Sequence, residues 1–188
     1  RERIFIIGTK NNYFDFTKLR KTKSLPLLNF LDKEGDFNFL KKSEYTLLEE
    51  GLYKQQKDSG LIFRGYRNKE GFKKGIRPNT LHLNRVHRQP NRIYSVEGYH
   101  PTLPSQEPSG RFFIYIPKLD KVRKLTIDEC YRIMGFPDDY KKSKKVGNRY
   151  KQIGNSVGVN VIKEISYQII NQNLLNDESQ REIIGNLQ

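Results

Sequence analysis

The apolar residues of this chain are distributed in short runs, and this distribution constrains the fold more than any other feature of the sequence. Residues 4–7 form one such run, and no run approaches the roughly 18 apolar residues that a membrane-spanning helix requires. The chain has 188 residues, of which 35% are hydrophobic and 12% aromatic, which is enough to form a core. We therefore expect a soluble, folded protein of one domain, or of one domain and part of another.

The single cysteine, Cys130, excludes an internal disulfide framework and any multi-cysteine zinc site built from this chain alone. We expect a reducing, intracellular compartment and no bound metal. Cys130 lies on a predicted amphipathic helix, where a lone cysteine is typically a small buried hydrophobic residue. The three histidines, His82, His87 and His100, lack metal-ligand spacing, and we interpret them as surface residues or contacts to a polyanion.

Positive charge is concentrated in the middle of the chain. The formal net charge is +14, and eleven basic residues but two acidic ones lie between Lys54 and Arg92. A polyanionic partner is expected, because binding to a positive surface releases counterions from the polyanion.

The first part of the chain predicts short strands and turns. Residues 4–7 are typical of a strand buried on both faces of a sheet, so we expect that the native protein does not start at Arg1. It is then the C-terminal part of a larger protein or one half of a two-part assembly. Residues 43–50 predict a short helix with Ser43 as the N-cap. Further strands are predicted at residues 61–63, 92–94 and 112–116.

The last third of the chain predicts helices. Thr126 and Glu129 have the spacing of a capping box, and Gly135 with Pro137 ends that helix. A second helix is predicted after a turn at Gly154. Its apolar stripe, which we expect to pack onto a sheet as core scaffold, consists of Val157, Val161, Ile162, Ile165 and Ile169.

Three stretches carry groups that can bind ligands. Arg1 and Arg3 are able to clamp a phosphate or a carbonyl oxygen, although charged decoration of an edge strand explains them as well. Residues 89–95 and Thr102 carry side chains of the kind that read base edges or contact phosphates. The alternative interpretation of this stretch is a polar hairpin. Residues 152–157 form a Gly-Asn-Ser turn that can hold a small ligand, or a plain N-cap.

The order and spacing of these stretches point to one family. In chain order they are Arg1-Glu2-Arg3-Ile4, Arg92-Ile93-Tyr94-Ser95, Pro101-Thr102-Leu103, Lys124-Leu125-Thr126 with Glu129-Cys130, Met134-Gly135-Phe136-Pro137, and Tyr150-Lys151-Gln152-Ile153-Gly154-Asn155-Ser156-Val157. Together they resemble the C-terminal part of bacterial DNA (cytosine-5)-methyltransferases. Residues 1–8 and about 89–170 match, whereas residues 9–88 do not, as expected of a region that differs with the target sequence.

The resemblance implies an α/β fold: the C-terminal part of an S-adenosylmethionine-dependent, Rossmann-like methyltransferase with a small β-rich target recognition domain inserted. It also implies a division of the chain. Residues 1–16 would carry a late strand of the catalytic domain and 17–118 the target recognition domain, while 119–172 would return to the catalytic domain and 173–188 form a peripheral tail.

The resemblance further implies the catalytic and cofactor residues. Arg3 would hold the O2 edge of a cytosine flipped out of the duplex, and Arg1 would support that site. Asn155 and Val157 would contact the cofactor, S-adenosyl-L-methionine, and Gly154 would give the backbone room.

For DNA, the resemblance implies that Gln89 fills the gap left by the flipped base and that Arg92 reads a neighbouring base. Thr102 would contact a phosphate. The additional candidates are His82, Asn84, Arg85 and Arg88, because their side chains supply groove donors and some also supply acceptors.

The family's Gly-rich cofactor loop and Pro-Cys nucleophile loop do not occur in this sequence. We therefore expect no methyl transfer by this chain alone, and we expect its partners to be double-stranded DNA and an N-terminal catalytic half. The setting implied is a restriction-modification system in the bacterial cytoplasm, at the nucleoid. Two alternatives remain open from the residues: a non-enzymatic basic module that binds nucleic acid, and an assembly subunit.

Overall fold

The computed structural model describes residues 4–10, 12–21, 23–52, 60–69, 79–110 and 112–175. Its contacts divide the chain into two units. The larger spans Ser24–Ser156, and the smaller joins Arg1–Lys23 to Val157–Gln188. Arg1 and Arg3, the predicted catalytic residues, lie outside the described residues. None of the helices described is long and apolar enough to cross a membrane.

The larger unit contains a mixed sheet, in which five strands are described. These are β1 Tyr45–Leu47, β2 Phe63–Arg67, β3 Arg92–Ser95, β4 Phe113–Ile116 and β5 Lys121–Lys124. The strands lie in chain order across the sheet, and neighbours are antiparallel except for the parallel pair β3 and β4. A parallel pair requires a crossover, which here is the connection over residues 96–112.

Both faces of the sheet carry buried side chains. Ile114 and Ile116 belong to the main core, which they share with helix α1 (Ile127–Ile133) and helix α2 (Val146–Asn155). Tyr115, which lies between them on β4, belongs to a smaller cluster on the opposite face. This division follows from the alternation of side chains along a strand.

A buried ion pair joins α1 to the sheet. The Glu129 carboxylate accepts hydrogen bonds from both terminal nitrogens of Arg123, at 2.6 and 2.8 Å, and from the backbone N–H groups of Asp32 and Thr126. The side chains of Arg123 and Glu129 are 1% and 0% exposed. The predicted capping box is confirmed, since the Thr126 side chain also accepts from the Glu129 N–H. Gly135 follows the helix at φ +80°, a left-handed conformation that favours glycine.

The smaller unit is organised around helix α3 (Val159–Asn171), which holds part of the N-terminal segment. Arg20 forms a forked ion pair with Glu164, and its guanidinium lies 4.2 Å from the ring centroid of Tyr167. Further along the helix axis, the Gln172 side chain accepts a hydrogen bond from the backbone N–H of Asp15.

The apolar stripe predicted on this helix is only partly buried. Ile165 is 8% exposed, whereas Val161 and Ile162 are 47% and 43% exposed. The prediction that the whole stripe is core is therefore wrong. The buried face is centred on Ile165 and the polar Gln168, because only the face that meets a neighbouring segment loses its solvent.

The strand predicted at residues 4–7 does not form. Ile4 and Ile6 are 90% and 91% exposed, and no strand is assigned over residues 4–10. An extended run becomes a strand only when a neighbour pairs with its backbone, and no described residue does so here.

The helix predicted at residues 43–50 is also wrong. A short 3-10 turn over Lys42–Glu44 leads into β1, whose backbone pairs with β2 at Thr46 and Tyr66. Tyr, Thr and Leu suit a half-buried strand, and this pairing outweighs the helical capping signal of Ser43.

The other strand predictions hold better. Those at residues 92–94 and 112–116 are confirmed by β3 and β4, and that at 61–63 overlaps β2 at Phe63. Strand β5 was not predicted because three of its four residues are basic. The ion pair with Glu129 is what allows Arg123 of this strand to be buried.

The break between the last two helices lies later than predicted. Gly154 and Asn155 end α2 instead of forming a turn before a helix. The turn comprises residues 156–158, and at its start the Ser156 hydroxyl donates to the Ile153 carbonyl at 2.7 Å, at the C-terminal end of α2. Helix α2 itself was missed, since its first turn is polar and contains Gly147.

Candidate nucleic-acid interface

The segment before β3 presents basic side chains, and we name residues 84–92 the basic loop. It consists of two 3-10 turns, Asn84–Val86 and Gln89–Asn91, and it ends at Arg92, the first residue of β3. Arg92 is half-buried. The exposed side chains of the loop include those of Arg85, Arg88 and Gln89.

The positive charges of the basic loop are not compensated locally. No acidic residue occurs in the sequence between residues 71 and 96. Within the part of the chain that the structure describes, no ion pair includes Arg85, Arg88 or Arg92. Such a surface favours a polyanionic partner.

His87, between the two turns, is buried, and its prediction as a surface residue is wrong. His87 is only 2% exposed to solvent. Its ring stacks on that of Tyr66, with the two ring centroids 4.1 Å apart. Nε2 lies 2.8 Å from the Leu81 carbonyl oxygen. Burial lowers the pKa of His87 below its usual value of 6.5, and the Arg92 cation acts in the same direction, whereas the hydrogen bond to Leu81 opposes them. A lone histidine in a polar stretch carries no sequence signal for this role.

Arg92 is held by the same residue. Its Nε donates a hydrogen bond to the His87 carbonyl oxygen at 3.0 Å. A guanidinium carries five N–H donors, and this hydrogen bond uses the one on Nε. The two terminal nitrogens can therefore still donate a parallel pair of hydrogen bonds to two acceptors in one plane.

Thr102 lies in the crossover between β3 and β4. Its neighbours Pro101 and Leu103 are buried, and Leu103 belongs to the main core. Thr102 itself is half-buried, so the crossover holds it in place between two anchored residues.

The predicted cofactor residues lie at the end of α2. A β-carbon at Gly154 would overlap the backbone of Pro104 and Ser105, so this glycine is required for the close approach of the chain's own crossover. Asn155 is exposed and Val157 is half-buried. The amide and the apolar side chain remain accessible to a ligand, whereas the space above Gly154 is filled by protein.

Cys130 is fully buried on α1, which confirms its interpretation as a small hydrophobic residue. Burial raises the pKa of its thiol far above the usual value, and the neighbouring Glu129 carboxylate adds to this effect. An inaccessible thiol of this kind cannot act as a nucleophile. The described residues also contain no group of three or more His, Cys, Asp or Glu side chains that could hold a metal ion.

Comparison with known proteins identifies the family. The family model for C-5 cytosine-specific DNA methylase matches residues 1–171. The type II methyltransferase M.HhaI of Haemophilus parahaemolyticus is 41% identical over 98 residues, which are 49% of this chain and 29% of that protein. M.NgoPII of Neisseria gonorrhoeae, also a type II methyltransferase, is 32% identical over 111 residues, which are 54% of this chain and 33% of that protein.

A plant protein is similar as well. DNA (cytosine-5)-methyltransferase 3 of Arabidopsis thaliana is 32% identical over 92 residues, which are 46% of this chain and 6% of that protein. The chain thus matches at most about a third of the length of these relatives.

These matches confirm the resemblance seen in the sequence. The family has an S-adenosylmethionine-dependent methyltransferase fold, and the described residues of this chain form a mixed five-stranded sheet and three helices. Its methyl donor is S-adenosyl-L-methionine. Since the family model covers residues 1–171 of 188, this chain belongs to the C-5 cytosine-specific DNA methylases.

Proposed function

We propose that this chain is the DNA-reading and closing portion of a DNA (cytosine-5)-methyltransferase that acts in a bacterial restriction-modification system, in the cytoplasm at the nucleoid. The basic loop carries this proposal, because it combines exposed, uncompensated arginines with a buried anchor inside a family that acts on DNA. Two of the relatives are bacterial type II methyltransferases, which supports the setting.

In this proposal residues 17–118 form the target recognition domain, and Gln89 and Arg92 meet the bases. The fork of Arg92 suits the two acceptors of guanine, and the Gln89 side chain suits the space vacated by a flipped cytosine. Thr102 supplies a hydroxyl to a phosphate. The exposed Arg85 and Arg88 neutralise further phosphates, which positions the duplex without reading it.

The catalytic half of the proposal concerns the two ends of the chain. Residues 1–16 and 119–172 belong to the catalytic domain, and 173–188 form a peripheral tail. Arg3 holds the flipped cytosine through its O2 edge, with Arg1 in support. Bound S-adenosyl-L-methionine supplies the methyl group. Asn155 and Val157 contact it, while Gly154 supports that site by letting the crossover pack against α2.

The attacking thiolate must come from elsewhere, because the only cysteine of this sequence is the buried Cys130. We propose that an N-terminal catalytic half, in the same polypeptide or as a separate subunit, supplies both the nucleophile and the Gly-rich cofactor loop. The test is transfer of a labelled methyl group to duplex DNA. The 188-residue chain alone should give no incorporation, and addition of the N-terminal half should restore it. Turnover by the isolated chain would refute this division of labour.

A non-enzymatic basic module is the second candidate, and the net charge of +14 favours it. Salt titration separates both DNA-binding functions from a pure assembly subunit. Affinity that falls steeply with salt indicates several phosphate contacts, whereas a flat response favours assembly. Restored methyl transfer in the presence of the N-terminal half would then exclude the non-enzymatic module.

A further inference from the structure

His87 connects the basic loop to the sheet at several points. Its ring lies 4.1 Å from that of Tyr66, at an interplanar angle of 17°, and 5.7 Å from that of Phe63. Both aromatic residues belong to β2, which lies between the edge strand β1 and β3. The imidazole thus fixes the middle of the loop to a strand that is distant in sequence.

The polar contacts of His87 fix the two ends of the segment. The Leu81 carbonyl oxygen can only accept a hydrogen bond, so Nε2 of His87 carries the proton and donates at 2.8 Å. At the other end, the His87 carbonyl oxygen accepts from Nε of Arg92 at 3.0 Å. His87 therefore fixes both the position of the chain at Leu81, just before the basic loop, and the orientation of the Arg92 side chain at the end of the loop.

This arrangement defines the direction of the base-reading groups. With Nε of Arg92 engaged by His87, the two terminal nitrogens form the remaining edge for a bidentate contact. Arg88 and Gln89 follow His87 directly in the chain and are exposed. A shift of His87 would therefore redirect three candidate contacts together.

We propose that His87 is a positioning residue for sequence discrimination, which orients Arg92 and Gln89 toward the bases and contributes little to total affinity for DNA. The inference rests on the proposed function, in which the basic loop reads DNA. Phosphate contacts supply most of the affinity and base contacts supply the discrimination, so a positioning residue affects the second more than the first.

Acidification should weaken the same anchor. The titratable and charged groups that face the imidazole include the Arg92 cation from β3 and the Tyr66 phenol from β2. Burial and Arg92 both disfavour the imidazolium, so the pKa of His87 lies below its usual 6.5, and protonation in more acidic solution places a second positive charge beside Arg92. Discrimination should then decrease as the pH falls below that value.

The experiment measures discrimination with the 188-residue chain. A duplex selected by the wild-type chain from a pool with a randomised central segment is compared with a shuffled duplex of the same composition, and the ratio of the two affinities is the readout. In His87→Ala the ratio should fall about tenfold, while affinity for the shuffled duplex stays within about twofold. Leu119→Ala is the control, because it removes an exposed apolar side chain outside the basic loop, and it should leave the ratio unchanged.

His87→Phe provides the second variant, because it keeps an aromatic ring against Tyr66 and removes the bond to Leu81. Its ratio should be lower than that of the wild type at neutral pH and should not change with pH, whereas the wild-type ratio should decrease in solutions more acidic than the usual histidine pKa of 6.5. If His87→Ala does not fold, as judged by circular dichroism, this pH comparison decides the question.

The outcomes separate the two proposals. A wild-type chain that prefers no sequence refutes the proposed reading function and this inference with it. A wild-type preference that survives in His87→Ala, an equal loss of both affinities in that variant, or identical pH profiles of wild type and His87→Phe refute the positioning role alone.

Discussion

The basic loop and the segment over residues 121–155, which we call the helical segment although it begins with β5, differ in how their cations are paired. In the helical segment, four of the ten basic residues form ion pairs: Arg123 with Glu129, Arg132 with Asp32, Lys124 with Glu107 and Lys142 with Asp128. In the basic loop, Arg85, Arg88 and Arg92 have no acidic partner among the described residues. The ion pairs of the helical segment help to hold the fold together, whereas the cations of the basic loop remain available to a partner.

The largest expected effect comes from the buried pair. Glu129→Gln removes one charge and leaves Arg123 buried without compensation, so the free energy of unfolding should fall by about 3–5 kcal/mol. Urea denaturation followed by fluorescence or circular dichroism measures this. The matched control is the next residue, Asp128→Asn, whose exposed pair with Lys142 should contribute at most about 1 kcal/mol. Equal losses in the two variants would contradict the contrast between buried and exposed pairs.

A second prediction concerns the packing of α2 against the crossover. Gly154→Ala should lower the free energy of unfolding by about 1–3 kcal/mol, because the added methyl group overlaps the backbone of Pro104 and Ser105. Gly147→Ala in the same helix meets nothing within 4 Å and should be neutral or stabilising by up to about 1 kcal/mol. Chemical denaturation of the pair tests this, and a stable Gly154→Ala would show that the crossover can move away from α2.

The basic loop should respond in DNA affinity and hardly in stability. Arg88→Ala should lower affinity for any duplex and reduce the slope of log K against log salt by about 1, because one phosphate contact is lost. Lys142→Ala, whose cation is paired with Asp128, should leave the slope unchanged. Fluorescence anisotropy at several salt concentrations gives both slopes, and similar changes in the two variants would mean that paired and unpaired cations contribute alike.

The smallest effect is expected from the exposed pair of the smaller unit. Hydrogen bonds from the Arg20 side chain, the Arg20 backbone N–H and the Gln168 amide, in that order, lower the pKa of Glu164 from 4.5 to about 2. A lowered folded-state pKa stabilises the folded form above pH 4.5, and this stabilisation is lost as the pH falls from 4.5 through about 2. Arg20→Ala should therefore melt slightly below the wild type at neutral pH, and the difference should shrink as the pH falls from 4.5 and vanish only below about pH 2. Lys163→Ala on the same helix is the control, and a difference that persists in acid would exclude this ion pair as the cause.

Within the helical segment, the sequence predicted helix α1 but neither β5 nor α2. The capping box of Thr126 and Glu129 and the burial of Cys130 follow local rules, and the structure confirms them. The run at residues 4–7 and the segment over residues 43–50 depend on which strands pair with them, and no local pattern carries that information.

The candidate site was also predictable only where it depends on local sequence. The exposed arginines of the basic loop follow from charge patterning and from the family resemblance. His87 was misjudged, because its burial depends on Tyr66 and Phe63, more than 20 residues earlier in the chain. The position of Arg1 and Arg3, and the roles of Asn155 and Val157, remain predictions from the resemblance.

Amide hydrogen exchange of the 188-residue chain with and without a selected duplex tests the central claim most directly, since it reports on both regions in one measurement. The account predicts that DNA slows exchange in residues 84–92 and leaves the amides of residues 126–155 unchanged. Protection by DNA that is confined to residues 126–155, with the basic loop exchanging as in the free protein, would contradict it.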